Sequence, residues 1–111
     1  MPTVPSNAKA VIRVLDGRSK DATLELGTQA TYTMGRGHIN SLQILDRNIS
    51  REHCKIEFDG RYYWLVDLDS DNGTFVNDER VQRYMLYDGD VIRIGKSTCL
   101  FQLLEPQKST A

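Results

Sequence analysis

Proline occurs at positions 2, 5 and 106 and nowhere between, so no rigid break interrupts the body of this 111-residue chain. Polar, proline-bearing tails, 1–7 and 106–111, bracket a single domain at 8–105, and both tails are expected to be loose. Cysteine is scarce too. Cys54 and Cys99 stand far apart, with no CxxC and no Cys/His ligand spacing, so neither a disulfide framework nor a zinc site is indicated. Two reduced thiols inside apolar strands are the plain reading, with a disulfide still open.

Excess charge is missing as well: 14 Lys and Arg against 15 Asp and Glu leave a net charge of −1. Such a chain lacks the broad electrostatic attraction of a nucleic-acid-coating or membrane-surface protein, and neither partner is expected. Any anion it binds must be met by a local cluster of cations. The longest apolar run, 62–66, falls far short of the roughly 20 residues of a membrane-spanning helix. The opening MPTVPSNAK carries neither a basic leader nor an apolar signal core, from which an intracellular setting is expected. No repeat or low-complexity stretch occurs. A chain of this length buries roughly two thirds of its unfolded surface, enough for one core without metal or disulfide.

What is present is punctuation and alternation. Asp16-Gly17, Asp59-Gly60, Asp88-Gly89 and Asn72-Gly73 supply the positive φ angles of tight turns. Between them lie AVIRVL, ATLEL, TYTM, LQIL, HCKIEF, YYWLVDL, TFV, DVIRI and TCLFQL, rich in β-branched and aromatic residues. In HCKIEF, Cys54, Ile56 and Phe58 share one face and Lys55 and Glu57 the other; after the 59–60 turn, Trp64, Val66 and Leu68 share a face. No segment keeps helical periodicity for three turns. Many short strands with frequent turns predict an all-β, antiparallel β-sandwich.

Loops at one end of a sandwich are its natural binding surface, and 35–41, 46–53 and 69–77 hold the unusual polar residues. Gly35 is expected to let the chain turn while Arg36 projects a guanidinium fork suited to phosphate or carboxylate. Ser50-Arg51-Glu52-His53 is expected to open the next strand, and between 35 and 51 the cations Arg36, Arg47 and Arg51 face one acid, Asp46. A hydroxyl and a guanidinium together can hold a phosphate oxygen. Asn72 at a loop tip offers donors and acceptors to a peptide backbone. Taken singly, each has a blander reading: a solvated arginine, a loop-closing serine, a turn asparagine.

In combination, Gly35-Arg36, Ser50-Arg51-x-His53, Asn72-Gly73-Thr74-Phe75-Val76-Asn77 and Leu86-x-x-Gly89-Asp90-x-Ile92-x-Ile94-Gly95 resemble the forkhead-associated (FHA) domain, a phosphothreonine-reading module. The resemblance covers residues 10 to 104, with the four motifs in order. It implies a sandwich of about eleven strands binding a phosphothreonine peptide through loops at one end. Carried onto this chain, it places Arg36 and Ser50 on the phosphate and Arg51 beside it as a second cation. Asn72 would hold the ligand backbone, and His53 would brace the loops. Gly35, Gly73 and Thr74 would support the backbone, and Asn77 a turn.

Two departures stand out. Asp71 occupies a position where many members carry Ser or Thr that helps bind the ligand, and its carboxylate would repel phosphate unless it turns away or pairs with Arg51. Asp78 follows Asn77 where Gly is frequent. Arg47 and Asn48 lie in the loop that often selects the residue three places after the phosphothreonine, where Arg47 is expected to favour an acidic side chain. The expected partner is a phosphothreonine-containing protein, bound by a monomer without cofactor.

Catalysis is not expected, because Ser-x-x-His without a Gly-x-Ser-x-Gly elbow or an oxyanion hole is no hydrolase signature. His38, His53, Cys54 and Cys99 lack metal-ligand spacing. The rival reading is a sandwich of the same fold that binds a partner, or a second copy, without phosphate.

Overall fold

The computed structural model describes residues 8–104; the expected loose tails lie outside the described residues. Among the described residues eleven strands form: β1 (Ala10–Val14), β2 (Thr23–Leu26), β3 (Thr31–Gly35), β4 (Leu42–Gln43), β5 (Cys54–Phe58), β6 (Tyr63–Asp67), β7 (Thr74–Val76), β8 (Glu79–Val81), β9 (Arg83–Met85), β10 (Val91–Ile94) and β11 (Ser97–Leu103). They make a six-stranded sheet, β2-β1-β11-β10-β7-β8, and a five-stranded sheet, β4-β3-β5-β6-β9. Pairing is antiparallel apart from the short parallel ladder of β3 with β4.

Period-2 alternation turns one face of each sheet inward. In β5, Cys54 and Ile56 are buried while Lys55 and Glu57 point out and form an ion pair at 2.7 Å. In β6 the buried face belongs to Tyr63, Leu65 and Asp67. Trp64 and Val66 do share a face, but it is the outer one. There the Trp64 ring lies under the Arg83 guanidinium, 3.9 Å from the ring centroid, and its Nε1 donates to Asp59 at 2.8 Å. An aromatic with a polar handle is stable at such a half-wet position. Across the sandwich the Tyr63 and Phe101 rings meet edge-on at 6.0 Å, and the Tyr63 hydroxyl donates to the Gly27 carbonyl at 2.6 Å.

Among the described residues twenty apolar side chains are buried, with Ile12, Met34, Ile56, Leu65, Ile92, Ile94 and Phe101 fully so. Each such side chain contributes roughly 1.5–3 kcal/mol, so the core needs no covalent staple. Cys54 and Cys99 are buried free thiols within it. Burial pushes both thiols up, Cys99 to about 12, so neither is a nucleophile at neutral pH.

The glycines of all four turn dipeptides have φ between 79° and 99°. Asp59-Gly60 closes the β5–β6 hairpin, where Asp59 also caps the N–H groups of Arg61 and Tyr62. The β7–β8 turn is made by Asn77 and Asp78, both at positive φ (50° and 72°). Asp is tolerated there because its short polar side chain relieves some of the left-handed penalty, which is how the chain manages without the usual glycine.

Register decides which loops meet. Val14 pairs with Cys99, Ile94 with Thr74, Met34 with Cys54, and Cys54 with Asp67. Connections 15–22, 36–41, 44–53, 68–73 and 95–96 therefore emerge at one pole.

Candidate functional site

Two of these loops are tied together first by backbone. The Arg36 N–H donates to the Ser50 carbonyl at 3.0 Å, and the Gly37 N–H to the Arg51 carbonyl at 3.1 Å. Asn40, buried beneath them, donates from Nδ2 to the carbonyls of both Gly37 and Arg51 at 2.7 Å. Gly35 is needed for this approach and not for a turn: its φ is not positive, it is the last residue of β3, and a Cβ there would overlap the Arg51 carbonyl oxygen and lie 2.9 Å from its carbon. The expected turn at Gly35 is thus replaced by close packing. Likewise Arg51 and Glu52 form a bend, and the strand begins only at Cys54.

Arg36 is oriented by its Nε, which donates to the Ile49 carbonyl at 3.0 Å. Its two Nη groups have no protein acceptor among the described residues. The Ser50 hydroxyl oxygen accepts the Asp71 N–H at 3.0 Å, which leaves its own hydrogen to donate. Asn72 Nδ2 donates to the Asn48 carbonyl at 2.8 Å, bridging the 46–53 and 69–73 loops, while its side-chain oxygen is uncommitted. One cavity of about 250 Å³ is lined by Arg36, Arg47, Asn48, Ile49, Ser50, Arg51, Asp71 and Asn72. It brings together all seven residues the sequence pointed to for phosphate and peptide contact.

Behind the cavity His53 is fully buried. The Ser50 N–H, which can only donate, points at its Nδ1 at 3.0 Å, so Nδ1 accepts and Nε2–H donates to the Gly73 carbonyl at 2.8 Å. Ser50 and His53 are therefore no catalytic pair: the ring meets the serine backbone, and the hydroxyl is held by Asp71. Asn77 lies apart, at the far end of β7, where it donates to the Asp90 carboxylate at 2.9 Å and accepts the Val91 N–H at 3.0 Å.

Asp71 forms no ion pair with Arg51. Among the described residues the only ion pair is Lys55–Glu57, and the exposed Asp71 carboxylate stands at the cavity rim. No group of three or more His, Cys, Asp or Glu side chains is placed to hold a metal among the described residues.

Three supporting residues escaped the sequence reading. Asn40 is one. Asp67, almost fully buried, accepts Thr74 Oγ1 and Ser70 Oγ at 2.6 Å each and the Ser70 N–H at 3.1 Å, while Ser70 Oγ accepts the Gly73 N–H at 2.9 Å. Burial alone would raise its pKa, but the bonds from Ser70 and Thr74 outweigh it and hold the carboxyl below the usual carboxylate range. Asp46 accepts the N–H groups of Asn48 and Lys96 and the Ser97 hydroxyl, all at 2.8 Å. An Asp-x-x-Ser step at 67–70 was the one local signal for such a loop anchor.

The FHA domain family model matches residues 32–95. The FHA domain-containing protein FhaA of Mycobacterium tuberculosis is 38% identical over 94 residues, which make up 78% of this chain and 18% of that protein. The glycogen accumulation regulator GarA of Mycolicibacterium smegmatis is 36% identical over 73 residues, 66% of this chain and 46% of its own length. This chain thus spans less than half of either relative. Among solved structures, one from a study of phosphothreonine-dependent FHA domain interactions superposes with a TM-score of 0.78 at 36% identity, covering 86% of this chain and 96% of that one. The FhaA FHA domain complexed with the intracellular domain of Rv3910 gives 0.76 at 36% identity, over 84% and 99%. Motifs, sandwich topology and relatives coincide over the same residues, and the chain belongs to the FHA domain family.

Proposed function

We propose that this chain is a non-enzymatic module that binds phosphothreonine in a partner protein at the Arg36–Ser50–Asn72 cavity. The observation that carries this reading is the convergence of two unpaired guanidiniums, Arg36 and Arg51, a hydroxyl with a free hydrogen and an asparagine with a free carbonyl on one 250 Å³ cavity. Arg36 and Ser50 contact phosphate oxygens, Arg51 adds a second positive charge, and Asn72 holds the peptide backbone. Arg47 favours an acidic residue three places after the phosphothreonine. The chain acts as a monomer in an intracellular setting, where threonine kinases mark their substrates.

A phosphothreonine carries about −1.5 to −2 charge at neutral pH, and a hydrogen bond to a charged group is worth roughly 1.5–3 kcal/mol. Two such bonds at the lower end already separate phosphorylated from plain peptide by roughly a hundredfold. Calorimetric titration with matched phosphothreonine, phosphoserine and threonine peptides tests this, repeated on Arg36→Ala. Phosphothreonine should bind best and Arg36→Ala should remove most of the gap. Equal binding of all three peptides would instead favour the phosphate-independent reading, which the exposed Asp71 carboxylate keeps in play.

A further inference from the structure

A second, larger concavity of about 540 Å³ adjoins the phosphate cavity and shares Arg36, Arg47 and Asn48 with it. Its other walls come from the β1–β2 connection (Gly17, Arg18), the β4–β5 loop (Leu45, Asp46), the β10–β11 turn (Lys96) and the first residue of β11 (Ser97). Four cations, Arg18, Arg36, Arg47 and Lys96, line it against one acid, and none of the four is ion-paired among the described residues.

That acid offsets one of the four charges and leaves the groove with an excess of cations, none of which it pairs. Both Asp46 carboxylate oxygens are taken up by Asn48, Lys96 and Ser97. Burial alone would raise the Asp46 pKa, but these bonds together hold it below the usual range. The same bonds fasten the β4–β5 loop to the β10–β11 turn. The β1–β2 connection is fastened too: Ser19 Oγ accepts the Leu45 N–H at 2.9 Å, and Asp16 accepts the Thr98 N–H at 2.9 Å. The backbones carrying Arg18, Arg47 and Lys96 are therefore pre-set, which lowers the ordering cost of a contact.

We propose that this groove is a second anion subsite, in which Arg18 and Lys96, with Arg47 shared, take a further acidic group from the same ligand. The proposal rests on the phosphothreonine reading of the neighbouring cavity. Arg18 and Lys96 lie outside every motif that pointed to that cavity. The acidic group is a carboxylate or a second phosphate; either suits exposed cations over a partly apolar floor at Leu45.

The test uses a phosphothreonine peptide in a neutral background. One Asp or one second phosphothreonine is walked outward from it, residue by residue, on each side. Calorimetry compares the wild type with Arg18→Ala/Lys96→Ala and, as a second variant, Arg18→Glu. At one spacing, Asp should tighten wild-type binding roughly two- to tenfold and a second phosphate more. Both gains should fall away in the double variant, reverse in Arg18→Glu and fade with salt, while affinity for the neutral parent peptide changes little. A gain for Asp as well as for phosphothreonine assigns the subsite to acidic groups of either kind; a gain for phosphothreonine alone assigns it to phosphate. No gain at any spacing, or only gains that the double variant keeps, as one supplied by Arg47 alone at the third place would be, overturns the subsite and leaves the phosphothreonine reading standing. Failure of the wild type to bind the neutral parent peptide overturns both.

Discussion

The Ser50 hydroxyl oxygen accepts the Asp71 backbone N–H at 3.0 Å, linking two loops 21 positions apart in the chain. This bond sets the hydroxyl at the cavity and, by the same geometry, brings the Asp71 carboxylate to its rim without a cationic partner. Backbone supplies the useful half of residue 71; its side chain opposes an anion. Asp71→Ser keeps the N–H and removes the charge, so phosphothreonine affinity should rise roughly two- to fivefold, the scale of an exposed charge pair. The gain should shrink in high salt. Unchanged calorimetric affinity at low salt would show that the carboxylate is turned away.

His53 joins the Ser50 N–H to the Gly73 carbonyl from within the core. His53→Ala orphans a donor and an acceptor and opens a cavity behind the binding loops. A loss of about 2–5 kcal/mol in urea unfolding is expected, with peptide binding weakened although no ligand contact is removed. A stability change under about 0.5 kcal/mol would contradict this role.

Gly35→Ala should be disproportionately harmful for one methyl group. The added carbon meets the Arg51 carbonyl, which is backbone and cannot rotate aside. The 51–52 bend must shift, at about 1–3 kcal/mol, carrying Arg51 and the adjoining Ser50 with it. Thermal unfolding and titration of the same variant should therefore fall together; loss of neither would refute the close approach.

Asp67 ties acid stability to the 69–73 loop. Its folded pKa lies below the ordinary 3.8, so its contribution is fully present above that value and is lost as pH falls through the lower folded value. Stability of the wild type should drop below about pH 4, as should that part carried by Asp46, whose pKa is shifted the same way. Asp67→Asn should cost about 1–3 kcal/mol at neutral pH and flatten the acid limb. Parallel denaturation curves for wild type and variant from neutral to acid pH would refute it.

Alternation in HCKIEF and the Asp-Gly turns made the central hairpin legible, and four spaced motifs made the family legible. Strands β8 and β9 were not, because ERV and RYM lie at sheet edges, largely exposed, where no buried face imposes a pattern on the residues. The inner face of β6 was misleading for a related reason. Trp64 reads as core by composition, yet Arg83 on the neighbouring strand and Asp59 in the adjoining turn make its outer position favourable.

The sequence by itself determined the class of fold and the chemical groups offered to a ligand, since alternation, turn residues and motif spacing are local properties of the chain. Only the tertiary structure decided how those groups are held. Asn40 and Asp46 act across loops through bonds to partners whose proximity is created by sheet register, and the reason for Gly35 is a carbonyl sixteen residues away. Hydrogen-bond geometry between separate crossovers is a property of the packed sandwich, and no spacing along the chain encodes it.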